Sequence, residues 1–279
     1  MFFKNLQIYR LLGPINVAQL QRGTFAACPP NARASRGWAP PVESEPDSLA
    51  LMQDGNVLIA LATEERLLPT DVINREVAQR AAVLEAEQGY APGRKQRREL
   101  RERVVEELLP KAFTRLRLTR AWFNVEKGWF VVDAGTPSRA EAVIEHLRYS
   151  LDELPLGPFV TSQSPASAMA DWLLGDAPFD FSVDRTCQVK GSGTVTYQDR
   201  PLEGTDDIRS QLASGLLPTK LAMTWNDRLS FMLTDTLAIK RLTFLDITRA
   251  EEESDFAIQS GELCRFLPAL EEALGGPAL

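Results

Sequence analysis

RKQRRELRERVVEELLPKAFTRLRLTRAWFNVEKGWFVVDA, residues 94–134, sets a helix pattern, a proline stop and two strand patterns in immediate succession. Helical spacing runs from Arg94 to about Leu109, and Pro110 ends it. Phe113–Val125 and Gly128–Ala134 then face each other across Glu126-Lys127-Gly128, a β-hairpin pattern. A helix that runs straight into an antiparallel hairpin, without a βαβ rhythm, indicates an α+β fold with mostly antiparallel sheets.

Upstream, Asp71–Gln88 reads as a second helix, with Val72, Val77, Ala81 and Leu84 on its apolar side. Gly89, Pro92 and Gly93 break it, so residues 71–109 form a helical hairpin. Strands are predicted at Leu6–Leu11 and Val57–Ala62, while Pro29, Pro30, Pro40, Pro41 and Pro46 make Cys28–Pro46 an ordered loop. Downstream, helices are predicted at Ser138–Tyr149, Ala166–Leu174 and Thr205–Ala213, the last with Thr205 as N-cap. Strands are predicted at Phe181–Val189 and Thr194–Tyr197, then as a hairpin of Leu217–Trp225 with Arg228–Thr234, then at Leu237–Ile247. A last helix carries Phe256, Leu263, Phe266, Leu267 and Leu270. Pro155 and Pro158 mark a linker, giving regions 1–154 and 155–279, either of which could be discontinuous.

The quoted stretch also holds the chain's charge anomaly. Ten of the 31 basic residues lie between Arg94 and Arg120, opposed only by Glu99, Glu102, Glu106 and Glu107, in a chain of net charge −7. Such segregation suits a polyanion. On a helical wheel Arg94, Arg97, Arg98 and Arg101 share one face, and Val104, Leu108 and marginally Val105 and Leu109 continue it. Four cations in and near a first turn oppose the helix dipole, at about 0.3–1 kcal/mol each for the closest. A structural helix gains nothing from that arrangement, whereas a phosphate binder does. Arginine supplies 24 of the basic residues, and its planar fork matches phosphate oxygens. Trp122, Phe123 and Trp129 could stack on bases, but in a hairpin of this pattern the core is their expected place.

Signs of catalysis are missing from the sequence. His146 is the single histidine and flanks an apolar helix stripe. No Gly-Lys dipeptide occurs, so there is no Walker A cradle. Gly191-Ser192-Gly193 reads as a turn, and Asp206-Asp207 and Glu251-Glu252-Glu253 as solvated helix starts. Cys28, Cys187 and Cys264 are scattered, which suggests neither a disulfide framework nor a metal site and makes a reducing cytoplasm the expected compartment. No apolar run approaches a membrane span, and Met1–Leu6 does not look like a secretory leader. No cofactor and no metal are expected.

Leu108-Leu109-Pro110-Lys111-Ala112-Phe113 resembles a motif of the RdgC family, recombination-associated proteins of bacteria. Further matches are Phe3-Lys4-Asn5-Leu6 with Tyr9-Arg10-Leu11, Gly37-Trp38 with Pro40-Pro41, and Glu64-Glu65 with Leu68-Pro69. Then follow Leu84–Gln88, Thr219-Lys220-Leu221-Ala222 with Trp225, Lys240-Arg241-Leu242 with Phe244, and Gly261-Glu262-Leu263, all in the family's order. The resemblance implies a homodimer closed at two contacts into a ring around duplex DNA. It also implies sequence-independent binding that restrains RecA-driven strand exchange by occupying the DNA. The motif's basic residue and phenylalanine, which serve DNA binding and ring closure in the family, fall on Lys111 and Phe113. Lysine replaces the usual arginine, a family lysine aligns with Leu216, another basic position aligns loosely with Arg200, and residues 16–36 are shortened.

The expected DNA contacts are therefore Arg94, Lys95, Arg97, Arg98, Arg101, Lys111, Arg115, Arg117, Arg200, Lys220, Lys240 and Arg241, with Phe113 as a dimer contact. The expected partners are DNA (double-stranded preferred, single-stranded possible), a second copy and, antagonistically, RecA, with a cytoplasmic, nucleoid-associated location and no membrane. Two other readings stand beside this one. The first is an acidic protein–protein regulator that docks a partner through its basic hairpin; the second is a metal-dependent nuclease.

Overall fold

The computed structural model describes residues 2–245, 247 and 252–278. The strands are β1 (Leu6–Leu11), β2 (Ala34–Ala39), β3 (Ala50–Gln53), β4 (Asn56–Arg66), β5 (Thr114–Asn124) and β6 (Trp129–Asp133). They continue as β7 (Leu156–Pro158), β8 (Phe181–Lys190), β9 (Thr194–Tyr197), β10 (Leu217–Trp225), β11 (Leu229–Thr234) and β12 (Ile239–Phe244). The α-helices are α1 (Thr70–Gln88), α2 (Arg94–Leu108), α3 (Pro137–Ser150), α4 (Pro165–Asp171), α5 (Asp206–Ala213) and α6 (Glu252–Ala273). The fold is α+β with mostly antiparallel sheet, as the sequence implies.

The chain divides into two compact units, each assembled from separate stretches. The first takes the described residues of 1–20, 40–60 and 119–279; the second takes 21–39 and 61–118. The Pro155–Pro158 stretch lies inside the first unit, where β7 pairs with β1.

In the first unit the strand order is β5-β6-β1-β12-β11-β10-β8-β9. β5 pairs with β6 through Ala121↔Val132 to Asn124↔Trp129, and Trp122, Phe123 and Trp129 are all buried, as their hairpin pattern implies. The Trp122 indole N–H donates to Asn56 Oδ1 (3.0 Å), so its polar edge is satisfied in the core. From α6, Phe266 packs against Phe231 (4.9 Å between centroids) and Trp225 (5.5 Å). The guanidinium of Arg10 lies 3.8 Å from the Trp129 ring centroid and pairs with Glu271. Within this unit α4 is shorter than expected: it ends at Asp171 and a wider turn, Trp172–Asp176, follows, with Gly175 at φ 112°. Thr205 stands at the N-cap position of α5 but its side chain accepts no helix N–H; its hydroxyl is turned back and donates to the Leu202 carbonyl (3.0 Å). β12 stops at Phe244; Asp246, within the expected strand, and Glu251, in the expected helix start, lie outside the described residues.

The second unit holds the helical hairpin and the sheet β2-β4-β5. Here the expected loop at Cys28–Pro46 is corrected: Ala34–Ala39 is a strand, bracketed by the prolines that suggested a loop. Phe25 N–H donates to the Trp38 carbonyl (2.8 Å), and the two backbones approach so closely that a Cβ on Gly37 would stand 2.3 Å from the Phe25 Cα. The obstacle is main chain, which cannot rotate away. Gly37→Ala is therefore expected to cost at least about 2 kcal/mol, an overpacking penalty, seen as a lowered midpoint in urea unfolding. An unchanged midpoint would show that the two segments part freely.

Candidate nucleic-acid interface

The helical hairpin begins with its turn. Gly89, at φ 80°, ends α1 and donates its N–H to the Glu85 carbonyl (2.9 Å). Gly93 opens α2, its N–H donating to Gln96 Oε1 (3.0 Å). Few apolar side chains hold the helices, with Ile73, Ala81 and Val104 buried, so polar clamps supplement them. Arg80 forks onto Glu107 (2.7 and 3.0 Å) and also donates to Glu76 (2.9 Å). Those bonds from Arg80 hold the Glu107 carboxyl below the usual carboxylate range. Ile73, rather than the expected Val72, supplies the buried contact at the start of α1.

The structure covers the expected apolar positions of α2, Val105 being half-buried and Leu109, just past the helix, buried, and it extends them. Val104 is its one buried residue, with Gln96, Leu100 and Leu108 half-buried at four-residue intervals on the same side. The basic face therefore continues into covered residues at its C-terminal end, while Gln96 and Leu100 run beside it. Arg94, Lys95, Arg97, Arg98 and Arg101 are all exposed, and Arg94, Lys95 and Arg98 line one shallow hollow. Their present partners are weak: Lys95 stands 3.9 Å from Glu99 and Arg98 3.7 Å from Glu102, with the two cationic side chains 83% and 72% exposed. Pairs of this kind contribute about 0.3–0.5 kcal/mol, so phosphate can displace them. Arg97 donates to the Pro92 carbonyl (3.2 Å) and Arg101 to Asn74 Oδ1 (2.6 Å), which leaves both guanidinium charges without a carboxylate in those bonds.

After α2 the chain makes one tight turn, Leu109–Lys111, and enters β5. Lys111 is exposed, and Phe113 is 84% exposed. Phe113 is thus no core residue of its own chain, although it directly precedes a strand. Arg115 pairs with Glu65 (3.1 Å) and Arg117 is half-buried on the same strand. The second unit as a whole carries fifteen basic and ten acidic residues, net +5; the first carries sixteen and twenty-eight, net −12.

The remaining four expected contacts lie in the first unit. Lys220 is half-buried on β10 one residue after a bulge, where Pro218 and Lys220 face the consecutive residues Val189 and Gln188. On β12 the pairing steps from Lys240 to Thr243 while β11 steps only from Met232 to Ser230, so β12 carries an extra residue. Arg241 takes up the slack in the left-handed region (φ 53°) and is exposed, beside half-buried Lys240. Bulges re-aim side chains, and a non-glycine residue in that conformation costs about 1–2 kcal/mol. Arg241→Gly is accordingly expected to stabilise the fold by about 1 kcal/mol while lowering the salt slope of DNA binding by about 1 for each copy that binds. A parallel melting and salt titration checks both, and a destabilised variant with unchanged slope would refute the reading. Arg200 is more committed than the others, paired with Asp207 (2.8 Å) and lying 4.3 Å from the Tyr197 ring centroid.

Arg66 and the Arg80 fork onto Glu107 have no counterpart in the sequence reading, since those partners lie 27 to 46 residues away; the Glu76–Arg80 spacing of four is the one local signal. His146 sits on α3 with its ring 5.7 Å from Tyr149. Among the described residues no group of three or more His, Cys, Asp or Glu could hold a metal ion, and no helix is long and apolar enough to cross a membrane.

Comparison with known proteins agrees with the motifs. A family model described as "RdgC: Putative exonuclease, RdgC" matches residues 1–277. The recombination-associated protein RdgC of Dechloromonas aromatica is 51% identical, over 99% of this chain and 98% of that protein. Proteins of the same name from a Janthinobacterium species and from Herminiimonas arsenicoxydans are each 42% identical over 99% of this chain and 98% of theirs. With the Leu108–Phe113 motif in place and the match running through both compact units, the chain belongs to the RdgC family of recombination-associated proteins.

Proposed function

We propose that this chain binds DNA without regard to sequence, that two copies close into a ring around the duplex, and that occupancy of the DNA restrains RecA-mediated recombination. The observation that carries the reading is the exposed basic face of α2 in a unit of net charge +5, within a chain of net charge −7. Exposed guanidinium groups without strong carboxylate partners favour phosphate, and acidic surface elsewhere repels DNA from other approaches. Phe113, exposed beside Lys111, suits a pocket on the second copy, because buried aromatics are common interface anchors. Arg200, Lys220, Lys240 and Arg241 add backbone-neutralising contacts from the first unit. The protein works as a cytoplasmic, nucleoid-associated binder, and double-stranded DNA is its preferred form.

The description of the family model supplies a specific second reading, that of an exonuclease. One experiment separates the two: purified protein incubated with an unrelated linear duplex and Mg²⁺. The binding reading expects a shifted duplex of full length, equally for scrambled sequences. Progressive shortening from the ends would establish the nuclease, and no shift at all would favour a protein partner for the basic hairpin.

A further inference from the structure

Arg66 ends β4 in the second unit and is half-buried. Its guanidinium donates to five main-chain carbonyls in two groups. Nη2 reaches Cys28 (3.1 Å) and Nε reaches Pro29 (3.3 Å). Nη1 is shared among Ala112 (3.2 Å), Leu109 (3.4 Å) and Pro110 (3.5 Å). The next residue completes the grip, since the Leu67 N–H donates to the Phe113 carbonyl (2.7 Å). Glu64, two residues before Arg66, accepts the Cys28 N–H (2.7 Å) and so holds the other end of the same carbonyl cluster.

The backbone that carries Lys111 and Phe113 is thereby tied to Arg66 and Leu67, at the end of β4, through four of its five successive carbonyls, 109, 110, 112 and 113, with only 111 skipped. Neither Lys111 nor Phe113 has a buried side chain to fix it, as both are exposed. Their placement therefore depends on the main chain, and the main chain depends on a planar fork that can serve two carbonyl groups at once. Lysine would bring the charge but a single nitrogen, which cannot span both groups.

We propose that Arg66 is the positioning residue of this interface, acting through the Leu109–Phe113 backbone to pre-set Lys111 and Phe113 for DNA and for the second copy. The inference rests on the role given to those two residues above. A segment held in its bound geometry loses less freedom on docking, and that is where the affinity gain arises.

The test compares the full-length wild type with Arg66→Lys, Arg66→Met, Phe113→Ala and the Arg66→Met/Phe113→Ala double variant. Methionine keeps an aliphatic stem, and circular dichroism of each variant checks the fold. The first readout needs no DNA: amide hydrogen exchange at Leu67, whose N–H is covered by the Phe113 carbonyl. It is expected to accelerate by on the order of tenfold or more in both Arg66 variants, as a local opening becomes easier. The second readout is lifetime on closed circular DNA. Arg66→Met and Phe113→Ala are each expected to shorten it, and the double variant to be no worse than Phe113→Ala, because residues acting as one unit are non-additive. Unchanged Leu67 exchange, full rescue by lysine, or additive losses in the double variant would each overturn the role of Arg66. A wild type that ignores DNA would sink the functional reading instead, while Leu67 exchange would still report on the grip.

Discussion

Affinity for an unrelated duplex is expected to fall by roughly 10³–10⁵ between 50 and 200 mM salt if a dimer neutralises about 6–10 phosphates. The expectation follows from what the basic side chains are doing in the free protein. On α2 they are exposed; the carboxylates facing Arg98 and Lys95 stand 3.7 and 3.9 Å away, and Arg97 and Arg101 donate only to neutral oxygens, so no strong ion pair must be broken before phosphate is bound. Each phosphate contact releases condensed counterions, and the gain shrinks as bulk salt rises. The acidic first unit, net −12, adds repulsion that screening weakens, which slightly flattens the curve at low salt. Fluorescence anisotropy on two duplexes of scrambled sequence measures the slope directly. A flat line, or slopes that differ between the two sequences, would contradict a backbone-reading surface.

The second large effect is expected from replacing Arg94, Arg97, Arg98 and Arg101 together by alanine. If all four meet phosphate in both copies of the dimer, about eight contacts are lost and the salt slope should drop by about 7, since each contributes about 0.9. At low salt that amounts to losing most of the binding. The fold should survive, because all four side chains are exposed and alanine is the better helix former. Removing cations from the first turn also relieves the helix dipole. One loss offsets the gain: Arg101 donates to Asn74 across the helical hairpin (2.6 Å), so the melting temperature should stay near that of the wild type. Unchanged DNA affinity in this variant would reduce the face to ordinary solvated surface.

Much of this was legible in the sequence, and the exceptions have physical causes. The helical hairpin, the β5–β6 hairpin and the burial of Trp122, Phe123 and Trp129 follow from periodicity and turn residues alone. β2 escaped because it pairs with β4 and packs its Gly37 backbone on Phe25, neither of which a local apolar alternation announces. The expected apolar positions of α2, Val104, Val105, Leu108 and Leu109, are all buried or half-buried, whereas Leu100 and Gln96, which extend the covered line, lie among charged residues that hide it in the sequence. Thr205 looked like a cap by residue type, yet its hydroxyl found the Leu202 carbonyl first. The basic cluster could be read directly, whereas the bulge that turns Arg241 outward depends on pairing between β11 and β12. Arg66 was invisible for a related reason: a guanidinium that gathers carbonyls from residues 28 to 112 leaves no motif in sequence.

The central claim, encirclement of duplex DNA, is tested most directly by topology. Protein is loaded on covalently closed circles, challenged with excess competitor, and its dissociation compared before and after the circle is cut once. A ring leaves closed DNA only by opening a contact, so slow release that becomes fast on cutting is the expected result. Phe113→Ala should be fast on both substrates while melting like the wild type, because its side chain is 84% exposed in the free chain. Identical dissociation of the wild type from cut and uncut circles would contradict the account.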